Sequence, residues 1–226
     1  MAVALLAAAS SGPASAQHAV GTRVVRPTQR LAALLSAHQA FSKPARDSTT
    51  RGLVRARRPL TGERTVLPVI GVRAGWLHVR LPGRPNGHTG WIRKRATVAS
   101  TTRWHIVVET SKRRVIVYRD GRPRRAFRAI VGKPSTPTPI GEFFVEESIA
   151  LQPTDVGAPF ALALSARSDV LQEFDGGPGQ IALHGLKNIG GALGTAISHG
   201  CVRLANGAMR WLVVRIGPGV PVTIIR

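Results

Sequence analysis

Short apolar runs separated by glycine and proline turns fill most of this chain, and they limit the folds that it can adopt. Its 226 residues include 24 Gly and 16 Pro. Brief strand-like segments between such turns are typical of β-rich proteins. Only one segment predicts a good helix: Asn206 can cap it, residues 208–216 supply its apolar face, and Gly217-Pro218 ends it. The sequence therefore predicts a mainly β protein with one C-terminal helix.

The second half of the chain predicts the larger domain, which begins near Trp104. A polar turn between the first two strands indicates a hairpin, and Asp120-Gly121 predicts a tight turn into a third strand. The Thr-Pro-Thr-Pro-Ile-Gly-Glu-Phe stretch at 136–143 breaks the chain and restarts it as a strand. Predicted strands cover 105–110, 114–119, 126–131, 160–165, 181–184 and 220–225, and a further strand ends at Val145.

The N-terminal sixty residues predict little packed structure. Residues 1–16 combine an apolar run with an Ala-Ser-Ala cleavage site, which indicates an export signal peptide too short to span a bilayer. Its positive n-region is missing, so the alternatives are a start placed too late and a chance alanine-rich helix. Residues 17–60 are basic and poor in aromatics, which predicts a disordered linker, with a short helix over 31–38 as its one candidate element.

Residues 61–99 predict a small β-domain. Strand-like runs at 66–70, 76–81 and 89–92 are separated by turn clusters. The segment resembles the small SH3-like barrel of bacterial wall proteins, in which a Gly-Trp-Ile strand such as that at 90–92 closes the fold. Trp76 and Trp91 are interpreted either as core anchors or as ligand-stacking side chains.

The charge is strongly positive, at +21 overall. Residues 1–99 hold 16 basic and 2 acidic residues, and residues 100–226 hold 16 basic and 9 acidic residues. Such a surplus favours polyanions, and we expect an anionic cell wall as the partner, with binding that added salt weakens. A disordered basic arm is the alternative. Nucleic acid is not expected, because no recognition helix or aromatic platform is present.

The only cysteine, Cys201, lies in a Ser-His-Gly-Cys sequence at 198–201, and His184-Gly185 precedes it. A thiol, an imidazole and glycine-flanked amides are the components of a cysteine acyl-transfer enzyme. A neighbouring His is expected to make thiolate available at neutral pH. His184 at the end of one strand and Cys201 at the start of another would bring the two side chains together. An inert thiol and a zinc site formed by His184, His199 and Cys201 are the structural alternatives.

His-Gly followed by Ser-His-Gly-Cys-Val-Arg resembles the L,D-transpeptidase catalytic domain of bacterial wall synthesis, over about residues 104–226. The 136–143 stretch is similar to the strand entry of that family. The resemblance implies a β-sandwich or barrel in which Cys201 is the nucleophile and His184 is the general base and acid. It further implies that the Gly185 carbonyl orients the imidazole and that His199 and Gly200, with Cys201, line the oxyanion site.

Two other residues are expected to contact substrate, Ser198 and Arg203. Some family members carry Asn where this chain has Arg203, so its role is left between holding a substrate carboxylate and bracing the loop through carbonyl hydrogen bonds. For His199, a structural hydrogen bond is favoured over service as a second base.

The resemblance also implies an exported enzyme that acts on peptidoglycan stem peptides. Cys201 would attack the third residue of a tetrapeptide stem, release D-alanine, and pass the acyl group to an amine, which forms a 3→3 cross-link. No metal or other cofactor and no transmembrane segment are expected, and penems would acylate the same sulfur. An L,D-carboxypeptidase that uses water as acceptor and a non-catalytic wall-binding protein are the alternatives.

Overall fold

The computed structural model describes residues 25–173 and 176–226. Its strands form two sheets, of seven and nine strands. The predicted signal peptide, residues 1–16, and the linker up to residue 24 lie outside the described residues. The first sheet contains β1 (Gln29–Leu34), β2 (His38–Phe41), β3 (Thr50–Val54), β4 (Val66–Arg73), β5 (Trp76–Arg80), β6 (Thr89–Arg93) and β7 (Thr97–Thr102), in the order β3-β2-β6-β5-β4-β1-β7.

The prediction of a linker over residues 17–60 is wrong for the described part of that range, as is the short helix over 31–38. Strand β1 pairs antiparallel with both β4 and β7, and β2 pairs with β3 and β6. These strands are short, and β1 buries Leu31, Ala32 and Leu34, which do not alternate as the buried residues of a one-sided strand do. Strands from residues 66–102 supply most of their hydrogen-bond partners. The small domain therefore begins near Gln29 rather than at residue 61.

The strands predicted at 66–70, 76–81 and 89–92 correspond to β4, β5 and β6. Trp76 is buried, whereas Trp91 is half-buried and stacks on His78 with ring centroids 4.6 Å apart. The resemblance of this domain to an SH3-like barrel stays a prediction.

The second sheet forms the larger domain. It contains β8 (Trp104–Glu109), β9 (Arg114–Arg119), β10 (Arg122–Gly132), β11 (Gly141–Ala150), β12 (Phe160–Arg167), β13 (Gln180–His184), β14 (Ala196–Ser198), β15 (Val202–Leu204) and β16 (Pro221–Ile225). Eight of these strands close into a barrel, because β10 pairs with β15 on one side and with β9 on the other. β14 pairs with the end of β10. The predicted mainly β fold is confirmed.

The predicted hairpin and the turn that follows it are confirmed. β8 and β9 pair antiparallel, and a two-residue turn joins β9 to β10. Asp120 and Gly121 have φ of 58° and 72°, the left-handed values that a tight hairpin turn requires at both positions. Asp and Gly adopt this conformation at low cost, which is why the sequence signal is reliable here.

The predicted helix is present as α1 (Asn206–Val213), which packs against β12 and β13 through Ala208, Met209 and Leu212. It ends three residues before the predicted limit at 216, and no side chain caps its first turn. The expectation that Asn206 caps the helix is therefore wrong. Among the described residues, no helix has the length and apolar character needed to cross a membrane.

Two neighbouring phenylalanines of β11 tie the domains together. Successive side chains of a strand point to opposite faces. Phe143 lies in the barrel core, and Phe144, 1% exposed, lies in the core of the small domain with Leu34 and Leu67. One strand of the barrel thus completes the hydrophobic core of its neighbour.

We expect Phe144→Ala to destabilise the protein by about 3–5 kcal/mol, because the substitution leaves a cavity between two packed layers. Thermal unfolding followed by circular dichroism measures the loss. Leu53→Ala, at a position that is 63% exposed on β3, is the control and should change the melting temperature little. An equal effect of the two substitutions would contradict this description of the interface.

Candidate active site

Adjacent parallel strands bring His184 and Cys201 to one face of the barrel. β13 ends at His184, and β15 begins directly after Cys201. Their register pairs Leu183 with Val202 and His184 with Arg203. Leu183 and Val202 are buried in the core, so His184 and Arg203 point outward. Both outward-pointing side chains, together with Cys201, line one cavity of about 500 Å³. The predicted arrangement of strand, loop and strand is therefore present.

The His184 imidazole is held in one orientation by backbone groups. Its Nδ1 lies 2.9 Å from the Gly185 carbonyl oxygen. A carbonyl only accepts hydrogen bonds, so Nδ1 carries the proton in this contact and Nε2 keeps its lone pair. The hydrogen bond predicted from His184 to the Gly185 carbonyl is present. It leaves Nε2 as the atom that can take a proton.

Two positions beside this imidazole have room only for glycine. A Cβ at Gly157 would lie 2.4 Å from His184 Nδ1, and φ at Gly157 is +84°. A Cβ at Gly185 would lie 2.1 Å from the Ala158 carbonyl oxygen. Either contact is far too short, so only glycine fits at both positions. Gly157 was not found from the sequence because it is distant in the chain and belongs to no motif.

Ser198 shapes the loop that carries the thiol. Its hydroxyl donates to the Cys201 carbonyl at 2.6 Å and accepts from the Gly200 N–H at 3.2 Å. The side chain is fully buried. The expectation that Ser198 binds substrate does not fit this burial, because both hydrogen bonds are internal to the loop. Gly200, with φ of +120°, has its N–H engaged by Ser198 and so offers a poor oxyanion donor.

Two threonine hydroxyls of the 136–143 stretch hydrogen-bond to the backbone of the same loop. Thr138 Oγ1 donates to the Gly200 carbonyl at 2.8 Å and accepts from the Gly132 N–H at 2.9 Å. Thr136 Oγ1 donates to the Ser198 carbonyl at 3.3 Å. The sequence identified this stretch as a strand entry, but its contact with the cysteine loop depends on the barrel closing.

Asn206, expected to cap the helix, instead stabilises the chain beyond His184. Its Oδ1 accepts a hydrogen bond from the Leu186 N–H at 2.8 Å. The side chain therefore joins the start of α1 to the loop that follows the imidazole.

Both reactive groups are held in their neutral forms. Burial raises the pKa of the Cys201 thiol, although a backbone hydrogen bond from Ala182 and the positive charge of Arg203 act in the opposite direction. Burial also lowers the pKa of His184, and the Arg203 charge lowers it further against the effect of the Gly185 hydrogen bond. The thiol faces the Gln180 carbonyl, 4.0 Å from Sγ. Both shifts favour a thiol and a neutral imidazole in the resting pair, in which the imidazole is in the form that can take the thiol proton.

Because the native pKa of the thiol is raised, we expect its thiolate to form at higher pH in the folded protein than in the unfolded chain. Iodoacetamide alkylation followed over pH measures this, and the single cysteine makes the signal unambiguous. The urea-unfolded protein, with an ordinary thiol pKa of about 8.5, is the control. A folded-state midpoint below that of the unfolded chain would indicate a thiolate–imidazolium pair instead.

Arg203 brings an unpaired cation to the cavity. Its side chain is 8% exposed, and its Nε is buried without a hydrogen-bond partner among the described residues. It takes part in none of the ion pairs formed within residues 25–173 and 176–226. A buried charge without a counterion is costly, so the site favours an anionic group beside the thiol.

The described residues contain no cluster of three His, Cys, Asp or Glu side chains able to hold a metal ion. His199, one of the three ligands of the zinc alternative, is exposed at the mouth of the cavity, and His184 is already oriented by a carbonyl. The functional groups that meet in this cavity are a thiol, an imidazole and a guanidinium.

Comparison with known proteins extends this picture. Among curated protein sequences, none matches the chain. A solved structure of a Bdellovibrio bacteriovorus protein is 24% identical with a TM-score of 0.43, over 54% of this chain and 48% of that one. Mycobacterium tuberculosis L,D-transpeptidase 3, in complex with a faropenem-derived adduct, is 15% identical with a TM-score of 0.47, over 71% of this chain and 91% of that one. A cysteine-to-serine mutant of an Enterococcus faecium L,D-transpeptidase is 24% identical with a TM-score of 0.39, over 54% and 49%.

This chain therefore spans about half the length of the Bdellovibrio and Enterococcus chains. A family model decides the assignment. It matches residues 103–224, which cover the barrel except for the last residue of β16 and include both halves of the cysteine site. The chain belongs to the YkuD family, whose model describes the L,D-transpeptidase catalytic domain.

Proposed function

We propose that this protein is a peptidoglycan L,D-transpeptidase that works through a thioester on Cys201. The observation that carries the proposal is the shared outer face of β13 and β15, where an oriented imidazole and the only thiol of the chain line one cavity. The family assignment supports the reaction class. We further propose an extracytoplasmic location, where this substrate occurs.

In the first step, Sγ of Cys201 attacks the carbonyl carbon of the third residue of a tetrapeptide stem. The thiol proton passes to Nε2 of His184, which is free because Nδ1–H donates to Gly185. The tetrahedral intermediate collapses, the C–N bond to D-alanine breaks, and the imidazolium returns the proton to the leaving amine. A thioester and free D-alanine result.

In the second step, the amine of a neighbouring stem attacks the thioester carbonyl. His184 accepts a proton from that amine and returns it to the sulfur as the C–S bond breaks. The product is a 3→3 cross-link, and the thiol is restored. If water attacks instead, the product is a tripeptide stem and the enzyme is an L,D-carboxypeptidase.

Backbone amides at the cysteine loop stabilise the oxyanion of both steps. Since the Gly200 N–H donates to Ser198, we assign this role to the N–H of Cys201 with that of His199. The loop is anchored by Ser198 and Thr138 and does not need to reorganise when charge develops. Such preorganisation is the main source of electrostatic catalysis.

Of the two roles considered for Arg203, we propose that it holds a substrate carboxylate. Its buried Nε has no carbonyl partner among the described residues, so support for a bracing role is missing. A stem peptide carries carboxylates near the scissile bond, and a guanidinium binds them in a fixed geometry.

Product analysis tests the proposed function. The protein is incubated with a tetrapeptide stem, with and without a second stem as amine acceptor, and the products are separated by mass. The proposal expects D-alanine release together with a cross-linked dimer. Tripeptide alone under both conditions would assign the carboxypeptidase, and no D-alanine release would leave a non-catalytic wall-binding protein.

A further inference from the structure

The turn between β5 and β6 of the small domain reaches across to the catalytic barrel. At its tip, the guanidinium of Arg84 donates three hydrogen bonds to backbone carbonyls. Nη2 contacts the carbonyls of Ser168 at 2.7 Å and Leu171 at 3.1 Å, and Nη1 contacts that of Pro178 at 2.9 Å. One side chain thus joins both flanks of the connection that leads from β12 to β13.

Asn86, two residues further along, binds the end of β12 with both atoms of its amide. Its Oδ1 accepts from the Arg167 N–H at 2.8 Å, and its Nδ2 donates to the Arg167 carbonyl at 2.6 Å. The same Nδ2 contacts Asp169 Oδ1 at 2.8 Å. The amide of Asn86 thus pairs with the backbone of Arg167 as a neighbouring strand would, at the position where β12 ends.

The flanks held in this way form a wall of the catalytic cavity. Ser168, Leu171 and Gly179 line the same cavity as Cys201 and His184. The Ser168 N–H also donates to the Gly179 carbonyl at 2.8 Å, which joins the two flanks directly. The fit is close, because a Cβ at Gly179 would lie 2.1 Å from the Leu171 carbonyl oxygen. The small domain therefore contacts the substrate cavity through one intervening layer of backbone.

Other contacts hold the domains together at β11, and they meet this set only at Arg167, whose guanidinium pairs with Glu146. Phe144 is buried in the small-domain core, and Arg58 pairs with the buried Glu146. Thr61 Oγ1 donates to Glu147 Oε2 at 2.9 Å. Losing the contacts of Arg84 and Asn86 therefore leaves the interface at β11 in place.

We propose that Arg84 and Asn86 are positioning residues that fix the cavity wall at residues 168–171 and 178–179 and so set the affinity for the stem peptide. Neither side chain lines the cavity. They act through the carbonyls that they hold, and the small domain is thereby part of the substrate-binding apparatus. The effect on stem-peptide affinity rests on the proposed function, whereas the positioning of the cavity wall by Arg84 and Asn86 does not.

The test is the double variant Arg84→Ala/Asn86→Ala in the full chain. With a stem peptide, kcat/KM should fall about tenfold to a hundredfold, mostly through KM, because a misplaced wall weakens binding without touching the nucleophile. Alkylation of Cys201 by iodoacetamide, a reagent too small to need the wall, should proceed at the wild-type rate. Arg84→Lys should show most of the fall in kcat/KM although it keeps the charge, since one ammonium cannot donate to three carbonyls in the geometry of a guanidinium. Arg73→Ala, an exposed arginine of the same domain, is the matched control.

Hydrogen–deuterium exchange supplies a readout that needs no activity. The Arg167 N–H is protected by Asn86, so peptides covering 164–171 should exchange faster in the double variant than in the Arg73→Ala protein. Unchanged exchange, unchanged kcat/KM or a parallel loss of alkylation would each overturn the proposal. A wild-type protein that fails to process the stem peptide would overturn the proposed function instead, and exchange would still decide whether the wall is held.

Discussion

Replacing Cys201 by alanine is expected to lower the rate of D-alanine release from a tetrapeptide stem by about four orders of magnitude or more, as when the nucleophile of a covalent mechanism is removed. The reason is chemical, since no other described side chain in the cavity can form an acyl-enzyme. Ser198 and Ser168 line the same cavity, but both are buried: the Ser198 hydroxyl donates to the Cys201 carbonyl, and the Ser168 hydroxyl accepts from the N–H groups of Val170 and Leu171. Chromatographic measurement of D-alanine release gives the rate.

The fold should survive this substitution, because alanine is smaller than cysteine and the sulfur contacts only backbone groups, those of Gln180 and Ala182. Circular dichroism and thermal unfolding of the variant provide the control. A rate within about tenfold of the wild type would mean that the thiol is not the nucleophile.

Removing the imidazole should have the second largest effect. His184→Ala is expected to lower kcat/KM by about 10² to 10⁴-fold at neutral pH, the range of general base catalysis. The loss should shrink as pH rises. Without a base, only a preformed thiolate can attack, and the raised pKa of Cys201 places thiolate formation in the alkaline range.

The pH–rate profile of this variant therefore distinguishes two mechanisms. The wild type should show little change from neutral to mildly alkaline pH, because burial lowers the pKa of His184 and keeps the imidazole in its basic form. The kcat/KM of the His184→Ala variant should rise steadily over the same pH range. A variant profile parallel to that of the wild type would show that His184 orients substrate rather than moving a proton.

The sequence predicted those parts of the fold that depend on local chemistry. Asp120-Gly121 specifies a two-residue turn through its own conformational preference, and β9 alternates buried Val115 and Val117 with half-buried neighbours. The N-terminal strands escaped prediction because they are stabilised by partners elsewhere in the chain. β1 buries Leu31, Ala32 and Leu34 without the strict alternation typical of a strand, and it is held between β4 and β7.

The same distinction applies to the site. The thiol and imidazole were found because their residue types and spacing carry the chemistry. Gly157 and Thr138 were not assigned a part in the site, since nothing near them in sequence refers to Cys201 or His184; only barrel closure brings them there. Burial of the thiol could not be deduced from the sequence. Desolvation at the cavity raises the pKa of Cys201, so the proposed reaction needs His184 to take the thiol proton as the sulfur attacks.

The orientation of the imidazole and the placement of the thiol in one cavity form the central claim, and covalent labelling tests it most directly. The protein is incubated with a penem at neutral pH, and its intact mass is measured beside that of Cys201→Ala and His184→Ala. We predict one adduct on the wild-type chain, none on Cys201→Ala and much slower labelling of His184→Ala. Equal labelling of the wild type and Cys201→Ala, or no labelling of the wild type, would contradict the claim.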